Sequence, residues 1–571
     1  MLKKNLTYLI LLAFLFLESC GKKDDFIENP MDSSEDSVDG TSDLVFDGVF
    51  FAQTHVQQAD DELFKLISNR AVLLKLNTFT TITRTINSVE AILKLNGSSE
   101  TISLEPPRAA LTPINQDLGK IQHSFDDSFT AIIPKEWVKP GLSIAINVDG
   151  SLTELGEINV GAPNKMIMNM FDVHFFSQTS GDYAAKWKEE LESKLPVSEI
   201  ELRRMSDIVF SKLIIPPRPN VGTIAVRVGS KTEYQQLTGV SFDGEQAAAQ
   251  QWMNALKKAA GFNGQYSLFY VNIYGVPSGG QAGGYGGVGN GTNLGVLNHE
   301  LGHALSLPHW GDNADYPYRG VMHDIPAPEV YNDVHVGPTW AFDMPTMTFI
   351  PPIVQDNSVG GEAGTYKKDP MQGGGSGDQE EGFLLRHFSD YSMNQSRDYI
   401  ERHIVVSEDR GSTYNKWDDE AKKYSKAVTN NGVKYAVDLD KEVISVMVGA
   451  SAVTPQATLV YPPIGPYVSG LIMLFDPRVD ADRSQANSVY CPNGGCDLSV
   501  RITQGNQIKV YMLPIALDPN ADPFSGNSLK TSALNLPASD GVITKIELLR
   551  TPDAEANGMP KSDTILDVWG N

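Results

Sequence analysis

Three histidines in VLNHELGHALSLPHWGD, from Val296 to Asp312, constrain the local fold more tightly than any other part of the chain. His299 and His303 are four residues apart, so on a helix their side chains lie on the same face. The opposite stripe is apolar and predicts burial against a core: Leu297, Leu301, Ala304 and Leu305. Pro308 cannot continue the helix and pushes the preceding residue out of the helical region. His309 is therefore expected to turn back towards the first two histidines.

This spacing is the H-E-x-x-H pattern, in which two histidines hold zinc and the glutamate acts as general base. We predict His299, His303 and His309 as zinc ligands, which leaves a tetrahedral ion one position for water. Glu300 is rotated by about a hundred degrees from His299, where it can take a proton from that water without being a ligand. A surface helix with incidental histidines is the alternative, and the spacing of His309 argues against it.

Ser306 departs from the extended form of this pattern, H-E-x-x-H-x-x-G-x-x-H, which has glycine at that position. Glycine is favoured because a residue in the left-handed conformation turns the chain there. Serine in that conformation costs about 1 kcal/mol. We therefore expect the turn to form, with some strain at Ser306.

A zinc site of this type also needs a methionine turn beneath the metal. We favour Met371 in KKDPMQGGGSGDQ, because this turn is dense in glycine and is followed by the predicted helix DYSMNQSRDYIERH, capped by Ser389 or Asp390. Met322 is the alternative, whereas Met344 and Met347 also suit an ordinary core.

The segment AGGYGGVG lies between a predicted strand and the histidine helix. Glycine allows close approach of another backbone, so this segment suits an edge strand that pairs with an extended substrate. We therefore place Gly284 and Tyr285 among the candidate residues of a substrate cleft. A plain flexible loop is the alternative.

Several motifs occur in an order that resembles the dictomallein and StcE group of secreted metzincins. They are FAQTHV at 51–56, NHELGHALSLPH, TWAFD with FIPP, and DPMQGGG with the downstream FSDYS. The similarity spans about 44–410, and it implies a zinc endopeptidase; some members of the group cut heavily O-glycosylated, mucin-like proteins. It implies the same ligands, base and methionine turn, an aromatic residue of the active site at Trp310, and a cleft candidate at Tyr391. Ala304 and Leu305 stand where polar or aromatic residues are common, which bears on substrate preference.

The N-terminus, MLKKNLTYLILLAFLFLESC, is typical of an export signal, with Lys3 and Lys4 before a short apolar core. Its end resembles a lipobox, although Glu18 replaces the usual small residue, so we predict a signal peptide over 1–19 and lipid attachment at Cys20. The acidic stretch 20–43 is predicted to be a disordered tether. The protein is then an outer membrane lipoprotein of a Gram-negative bacterium that faces outwards; an ordinary signal peptide is the alternative.

The remaining 528 or so residues are too many for one ordinary domain. We predict an α+β, metzincin-type catalytic domain over 161–415, flanked by all-β, sandwich-like domains at 44–160 and 430–571. Cys491 and Cys496 are the one cysteine pair left besides Cys20, and they flank a Pro-Asn-Gly-Gly turn that suits a disulfide. The acidic loops DPRVDADRS and DPNADPF are weak candidates for Ca²⁺, because they lack regular ligand spacing.

The formal net charge of -24 argues against nucleic acid as a partner. We predict a monomeric, surface-anchored zinc endopeptidase that acts on extracellular proteins, with mucin-like glycoproteins as a candidate class. One rival is a surface lipoprotein that binds glycan or protein and has a structural or inactive zinc site. The other is a zinc hydrolase of small non-peptide substrates, which the glycine-rich segment disfavours.

Overall fold

The computed structural model describes residues 44–80, 86–108, 122–176, 180–205, 207–261, 267–275, 279–328, 333–357, 361–372, 381–406, 414–427, 441–469, 471–491 and 495–570. The predicted signal peptide, Cys20 and the acidic tether lie outside these residues. Leu44–Asn571 forms one compact unit, so the domain boundaries near 160 and 415–430 stay predictions. Within the described ranges, no helix is both long enough and apolar enough to cross a lipid bilayer.

The alternating N-terminal segments form two antiparallel sheets with strand orders β2-β1-β3-β6 and β5-β4-β7-β8. Their bounds are β1 (Leu44–Ala52), β2 (Val56–Gln58), β3 (Val72–Thr80), β4 (Val89–Leu95), β5 (Ser98–Ser103), β6 (Ser128–Ile133), β7 (Ser143–Val148) and β8 (Ser151–Glu157). Alternate residues of β4 are buried, as period-two patterning requires. Asn96 and Gly97 both have positive φ, at 50° and 82°, and close the hairpin from β4 to β5. The two sheets share one apolar core.

The middle region is organised by a mainly parallel sheet of order β10-β9-β14-β16-β15, with β11 also paired to β9. Its strands are β9 (Met166–Phe175), β10 (Ile200–Arg204), β11 (Ile208–Phe210), β14 (Ser267–Tyr274), β15 (Gly280–Ala282) and β16 (Gly286–Asn290). Every residue of β9 and β14 is buried, as expected for strands covered on both faces. Only the β15–β16 pair of this sheet is antiparallel, and β15 forms the edge.

Helices cover both faces of this sheet. They are α1 (Trp187–Lys194), α2 (Lys231–Thr238), α3 (Glu245–Ala260), α4 (Leu294–Ala304) and α5 (Asp390–Glu401). One face shares a core with α1, α4 and α5, and the opposite face packs on α3. Smaller strand pairs and a three-stranded sheet complete the region: β12 (Leu213–Ile215), β13 (Val226–Val228), β17 (Ala341–Asp343), β18 (Thr348–Ile350), β19 (Ile404–Val406), β20 (Tyr414–Asp418) and β21 (Lys423–Lys426).

The C-terminal region returns to antiparallel strands, in one sheet of β23-β22-β24 with β27 on β22 and another of order β26-β25-β28-β29. The elements are β22 (Lys441–Ala450), β23 (Leu459–Val460), β24 (Ile464–Ser469), α6 (Asp480–Val489), β25 (Leu498–Gln504), β26 (Gln507–Leu513), β27 (Lys530–Pro537), β28 (Ile543–Arg550), α7 (Ala554–Asn557) and β29 (Ile565–Gly570). Cys491 and Cys496 form a disulfide. The first sheet also shares a core with α3, so the middle and C-terminal regions are packed together.

Buried and partly buried polar side chains tie the N-terminal region to the middle region. The guanidinium of Arg70 donates to four carbonyl oxygens at the C-terminal end of α1, those of Glu192, Ser193, Leu195 and Val197. His55 Nε2 donates to the Phe388 carbonyl oxygen at 2.9 Å, and Lys65 pairs with Glu401 of α5 at 2.9 Å. The N-terminal strands therefore support the elements that lie just before and within α5.

Candidate metal centre

Helix α4 presents two histidines on one side and an apolar stripe on the other. The Asn293 side chain accepts a hydrogen bond from Val296 N at 3.1 Å, which caps the first turn. Leu297 and Leu301 are fully buried against the sheet, whereas His299 and His303 are only partly buried. The 3.6-residue period therefore directs both imidazoles to the same open side of the helix.

The chain turns at Ser306, whose φ is 73°. Ser306 N bonds to the His303 carbonyl oxygen at 3.0 Å, and Leu307 N bonds to that of Gly302 at 2.9 Å. This is the left-handed residue that the sequence predicts at the position where related motifs have glycine. The turn brings His309 back over the helix.

The left-handed backbone conformation of Ser306 gives a direct prediction. Ser306→Gly should change the free energy of unfolding by no more than about 1 kcal/mol, because glycine adopts this φ freely. Ser306→Val should destabilise by more than about 1 kcal/mol, because a β-branched residue is a true outlier there. Urea unfolding of the metal-free chain measures both, and equal stability of the two variants would contradict the prediction.

The three imidazoles meet at their Nε2 atoms. His309 Nε2 lies 3.1 Å from His299 Nε2 and 3.1 Å from His303 Nε2. His299 Nδ1 donates to the Pro370 carbonyl oxygen at 2.8 Å, and His303 Nδ1 donates to that of Leu307 at 2.7 Å. Since the neutral ring carries one N–H, both Nε2 atoms present lone pairs to the shared space.

This donor set fits a divalent cation. A proton on His309 Nε2 could satisfy only one of the two facing lone pairs, whereas a metal ion accepts all three. Carbonyl oxygens such as those that hold Nδ1 of His299 and of His303 are typical outer-shell partners of metal-bound histidine. Burial lowers the pKa of His299 and lowers that of His303 to about 4, so both rings stay neutral, the form that binds metal.

Glu300 lies between α4 and the edge strand β15. Its side chain is buried, and burial raises the pKa of its carboxyl to about 7. Oε2 has no hydrogen-bond partner in the described part of the chain. A Cβ atom on Gly280 would lie 2.5 Å from Glu300 Cγ and 2.6 Å from its Oε1. Glycine at 280 is therefore what lets the edge strand pass beside the carboxyl group.

The glycine run upstream of α4 is packed rather than loose. A Cβ atom on Gly287 would lie 3.0 Å from the Tyr270 ring, and one on Gly289 would lie 2.0 Å from the Tyr270 hydroxyl. The Tyr270 side chain therefore crosses β16 where glycines leave the strand without side chains. The edge strand is Gly280–Ala282, so it overlaps the predicted segment AGGYGGVG only at Ala282 and ends before Gly284 and Tyr285. Tyr285 is buried and stacks on Tyr399 at 5.2 Å. The Gly284 carbonyl oxygen instead accepts from Lys257 Nζ.

Met371 lies under α4 and is fully buried. A Cβ atom on Gly302 would lie 2.2 Å from Met371 Sδ and 3.2 Å from a ring carbon of Phe388. Met371 also follows Pro370, whose carbonyl oxygen holds His299. Met322 is partly buried in a turn closed by its hydrogen bonds with Ile325. Met371 thus packs directly against the helix that carries His299 and His303, and its assignment to a methionine turn stays a prediction.

The contact between Gly302 and Met371 predicts a damaging substitution. Gly302→Ala should destabilise the chain by about 1–3 kcal/mol, the usual cost of overpacking a filled core, although alanine favours helix at an ordinary site. Gly526→Ala is the control, because a Cβ there meets nothing within 4 Å. Urea unfolding of both variants checks this. Unchanged stability of Gly302→Ala would show that Met371 and Phe388 can move aside at no cost, which would contradict the prediction.

A comparison with protein-family models matches the chain from residue 120 to residue 405 to the family Peptidase M66. The match covers half of the 571 residues and contains the three histidines, Glu300 and Met371. The chain belongs to the peptidase M66 family. It is a metallopeptidase.

Curated relatives align with this member of the peptidase M66 family over most of its length. Dictomallein from Burkholderia mallei (strain SAVP1) is 27% identical over 599 aligned positions, which cover 92% of this chain and 83% of the relative. Dictomallein-2 from Dictyostelium discoideum is 27% identical over 610 positions, covering 92% of this chain and 95% of the relative. The dictomallein resemblance drawn from the motifs is confirmed.

In this peptidase M66 chain the two remaining cleft candidates, Trp310 and Tyr391, pack against each other. Trp310 is buried, stacks on Tyr316 at 4.7 Å, and donates from Nε1 to Ser392 Oγ at 2.9 Å. Tyr391 is partly buried and meets the Trp310 ring edge-on at 5.5 Å. Trp310 directly follows His309, so these contacts hold the backbone just after that histidine.

The acidic loops that we considered for Ca²⁺ do not bring their carboxylates together among the described residues. Asp476 pairs with Arg478, and Asp480 pairs with Arg483. Asp518 and Asp522 each accept from a backbone N–H two residues on. In the described ranges, the histidine cluster is the group that offers convergent nitrogen ligands.

Proposed function

We propose that this metallopeptidase is a zinc-dependent endopeptidase of the metzincin type, held at the outer membrane of a Gram-negative bacterium by a lipid on Cys20. Its proposed substrates are extracellular proteins, with O-glycosylated, mucin-like glycoproteins as the first class to test. The anchor is supported by the lipobox-like sequence before Cys20. The substrate class is supported by the resemblance to the dictomallein and StcE group.

One observation carries the catalytic part of the proposal. Three Nε2 lone pairs converge within 4.8 Å of one another, and a buried carboxyl group without a partner on Oε2 follows the first of these histidines. A purely structural three-histidine site needs no such carboxyl. Histidine ligands and an adjacent carboxylate are the set that zinc peptidases use.

In the proposed reaction His299, His303 and His309 would hold Zn²⁺, which when bound supplies Lewis-acid polarisation of the scissile carbonyl and of water. Glu300 takes a proton from the attacking water on a carboxylate oxygen. It then hands this proton to the leaving nitrogen, so that the peptide bond breaks to a carboxylic acid and an amine. The packing of Gly280 against Glu300 limits the freedom of that carboxyl group.

The edge strand supports an extended polymer as substrate. β15 pairs with β16 on one side, and its other side is unpaired within the described residues. An extended peptide can add to such an edge through main-chain hydrogen bonds. Since β15 lies against Glu300, a peptide on this edge would pass the carboxyl group.

The test uses the full chain, loaded with zinc and incubated with a mucin-type glycoprotein and with unglycosylated casein. Cleavage of the glycoprotein alone, lost with a chelator and in Glu300→Gln, would support the mucin-directed peptidase. Cleavage of both proteins would leave a general surface endopeptidase. No cleavage of either by a chain with one equivalent of zinc would favour the binding lipoprotein. Loss of radioactive palmitate labelling in Cys20→Ser tests the anchor.

A further inference from the structure

Asp369 is a fully buried carboxyl group behind the histidine cluster. Its Oδ1 accepts from Met371 N at 2.8 Å. Its Oδ2 accepts from Ser389 N at 2.8 Å and from Ser392 Oγ at 2.7 Å. One side chain thus joins the turn at Met371 to the first turn of α5, whose N-terminal N–H groups favour a negative partner.

Two short connections lead from Asp369 to the histidines. Pro370, the next residue, supplies the carbonyl oxygen that accepts from His299 Nδ1. On the other side, Ser392 Oγ accepts from Trp310 Nε1, and Trp310 directly follows His309. Asp369 is therefore connected to His299 through one residue, Pro370, and to His309 through two residues, Ser392 and Trp310.

A second buried hydroxyl strengthens the same network. Tyr316 stacks on Trp310, and its hydroxyl lies 2.7 Å from the His335 carbonyl oxygen and 2.9 Å from Ser389 Oγ. Ser389 Oγ also lies 2.9 Å from Ser392 Oγ, and it accepts from Ser392 N at 3.1 Å to cap α5. The Trp310 indole thus has a fixed hydrogen-bond acceptor and a fixed stacking partner, both of which depend on this corner of the structure.

We propose that Asp369 is a positioning residue for the metal centre, which holds His299 through Pro370 and His309 through Trp310 at the separation that metal binding requires. The inference rests on the proposed three-histidine zinc site and adds to it a residue that touches neither metal nor substrate. Outer-shell partners of this kind commonly set metal affinity, because they fix the ligand geometry before the metal arrives.

Zinc affinity of the full chain, measured by competition with a chromogenic chelator, tests the proposal. Asp369→Asn replaces one acceptor oxygen by an N–H₂ group that faces donors, and it should weaken zinc binding by about 10–100-fold. Ser392→Ala removes only the hydroxyl between Asp369 and Trp310, and it should weaken binding by a smaller factor. Asp497→Asn is the control, because Asp497 is also buried and accepts from backbone N–H groups, but in the C-terminal region.

A second readout separates positioning from simple stability. In the Co²⁺-loaded chain, the visible absorption bands report ligand geometry, and they should shift in Asp369→Asn and not in Asp497→Asn. Should Asp369→Asn fail to fold, Ser392→Ala decides alone. Zinc affinity within twofold of wild type in each folded variant, with unchanged cobalt bands, would overturn the inference. A wild-type chain that binds no zinc would overturn the proposed function itself.

Discussion

Glu300→Gln should lower kcat/KM for any cleaved protein by about 10²–10⁴-fold, the usual contribution of a general base. Glutamine keeps the size of the side chain beside Gly280, but its amide cannot take the proton from water. Zinc stoichiometry should stay at that of the wild type, because Glu300 is not among the converging ligand atoms. Steady-state kinetics and metal analysis of the same preparation measure the two quantities.

Glu245 offers a matched control on helix α3. Its side chain is also buried, its Oε2 also lacks a hydrogen-bond partner within the described residues, and burial raises the pKa of its carboxyl as well. Glu245→Gln should leave kcat/KM unchanged. Equal losses of kcat/KM in the two variants would mean that replacing any buried carboxyl group has this effect. The assignment of Glu300 as general base would then be wrong.

His303→Ala should weaken zinc binding by more than the ~100-fold that loss of an outer-shell partner costs, and should abolish measurable cleavage. The reason is that His303 is one of the three proposed ligands and is itself oriented by the Leu307 carbonyl oxygen. Excess zinc should restore little activity, because two imidazoles no longer define the ion's position. Chelator competition and peptidase assays measure both effects.

His403 serves as the control for this change. It is also partly buried, and its Nδ1 also donates to a carbonyl oxygen, that of Tyr399, four residues earlier. It lies outside the converging cluster. His403→Ala should therefore keep zinc affinity within a few-fold of wild type. If His303→Ala binds zinc as tightly as His403→Ala does, the assignment of the metal ligands is wrong.

Local chemistry made much of the site predictable from the sequence. The spacing of His299 and His303 fixes a shared helix face, and Pro308 limits the length of α4, which ends at Ala304. The left-handed residue at 306 follows from the need to turn before His309. These features depend on neighbours within about ten residues, and backbone geometry at that range leaves few options.

Features that depend on distant packing were not predictable in the same way. A run of glycines shows no pattern of apolar and polar residues, so the sequence could not show that Gly280–Ala282 forms the edge of the central sheet. Nor could it show that Tyr270 fills the space beside Gly287 and Gly289. Asp369 gives no local sign of its role, because its partners at 389 and 392 lie some twenty residues away. Its position directly before Pro370 and Met371 was the one available clue.

The packing between the predicted domains could not be predicted from the sequence either. Composition shifts predict three regions, but they cannot show which surfaces meet. The core above the central sheet contains residues of both the middle and C-terminal regions, among them Trp252 of α3 and Tyr461. The ring centroids of these two side chains are 5.6 Å apart. The alternation of apolar and polar residues along a strand predicts that one face of the strand is buried, but it does not identify the element that packs on that face.

The hydrogen bonds of Arg70 and His55 join the N-terminal region to helix α1 and to the segment just before helix α5. A gene fragment that began near codon 161 would leave four carbonyl oxygens at the end of α1 without the guanidinium that now binds them. It would also release the Phe388 carbonyl oxygen, next to the ring that backs Gly302. In recombination between related genes, we therefore expect the N-terminal region from residue 44 to be inherited together with the middle region. Crossovers near residue 161 should be selected against.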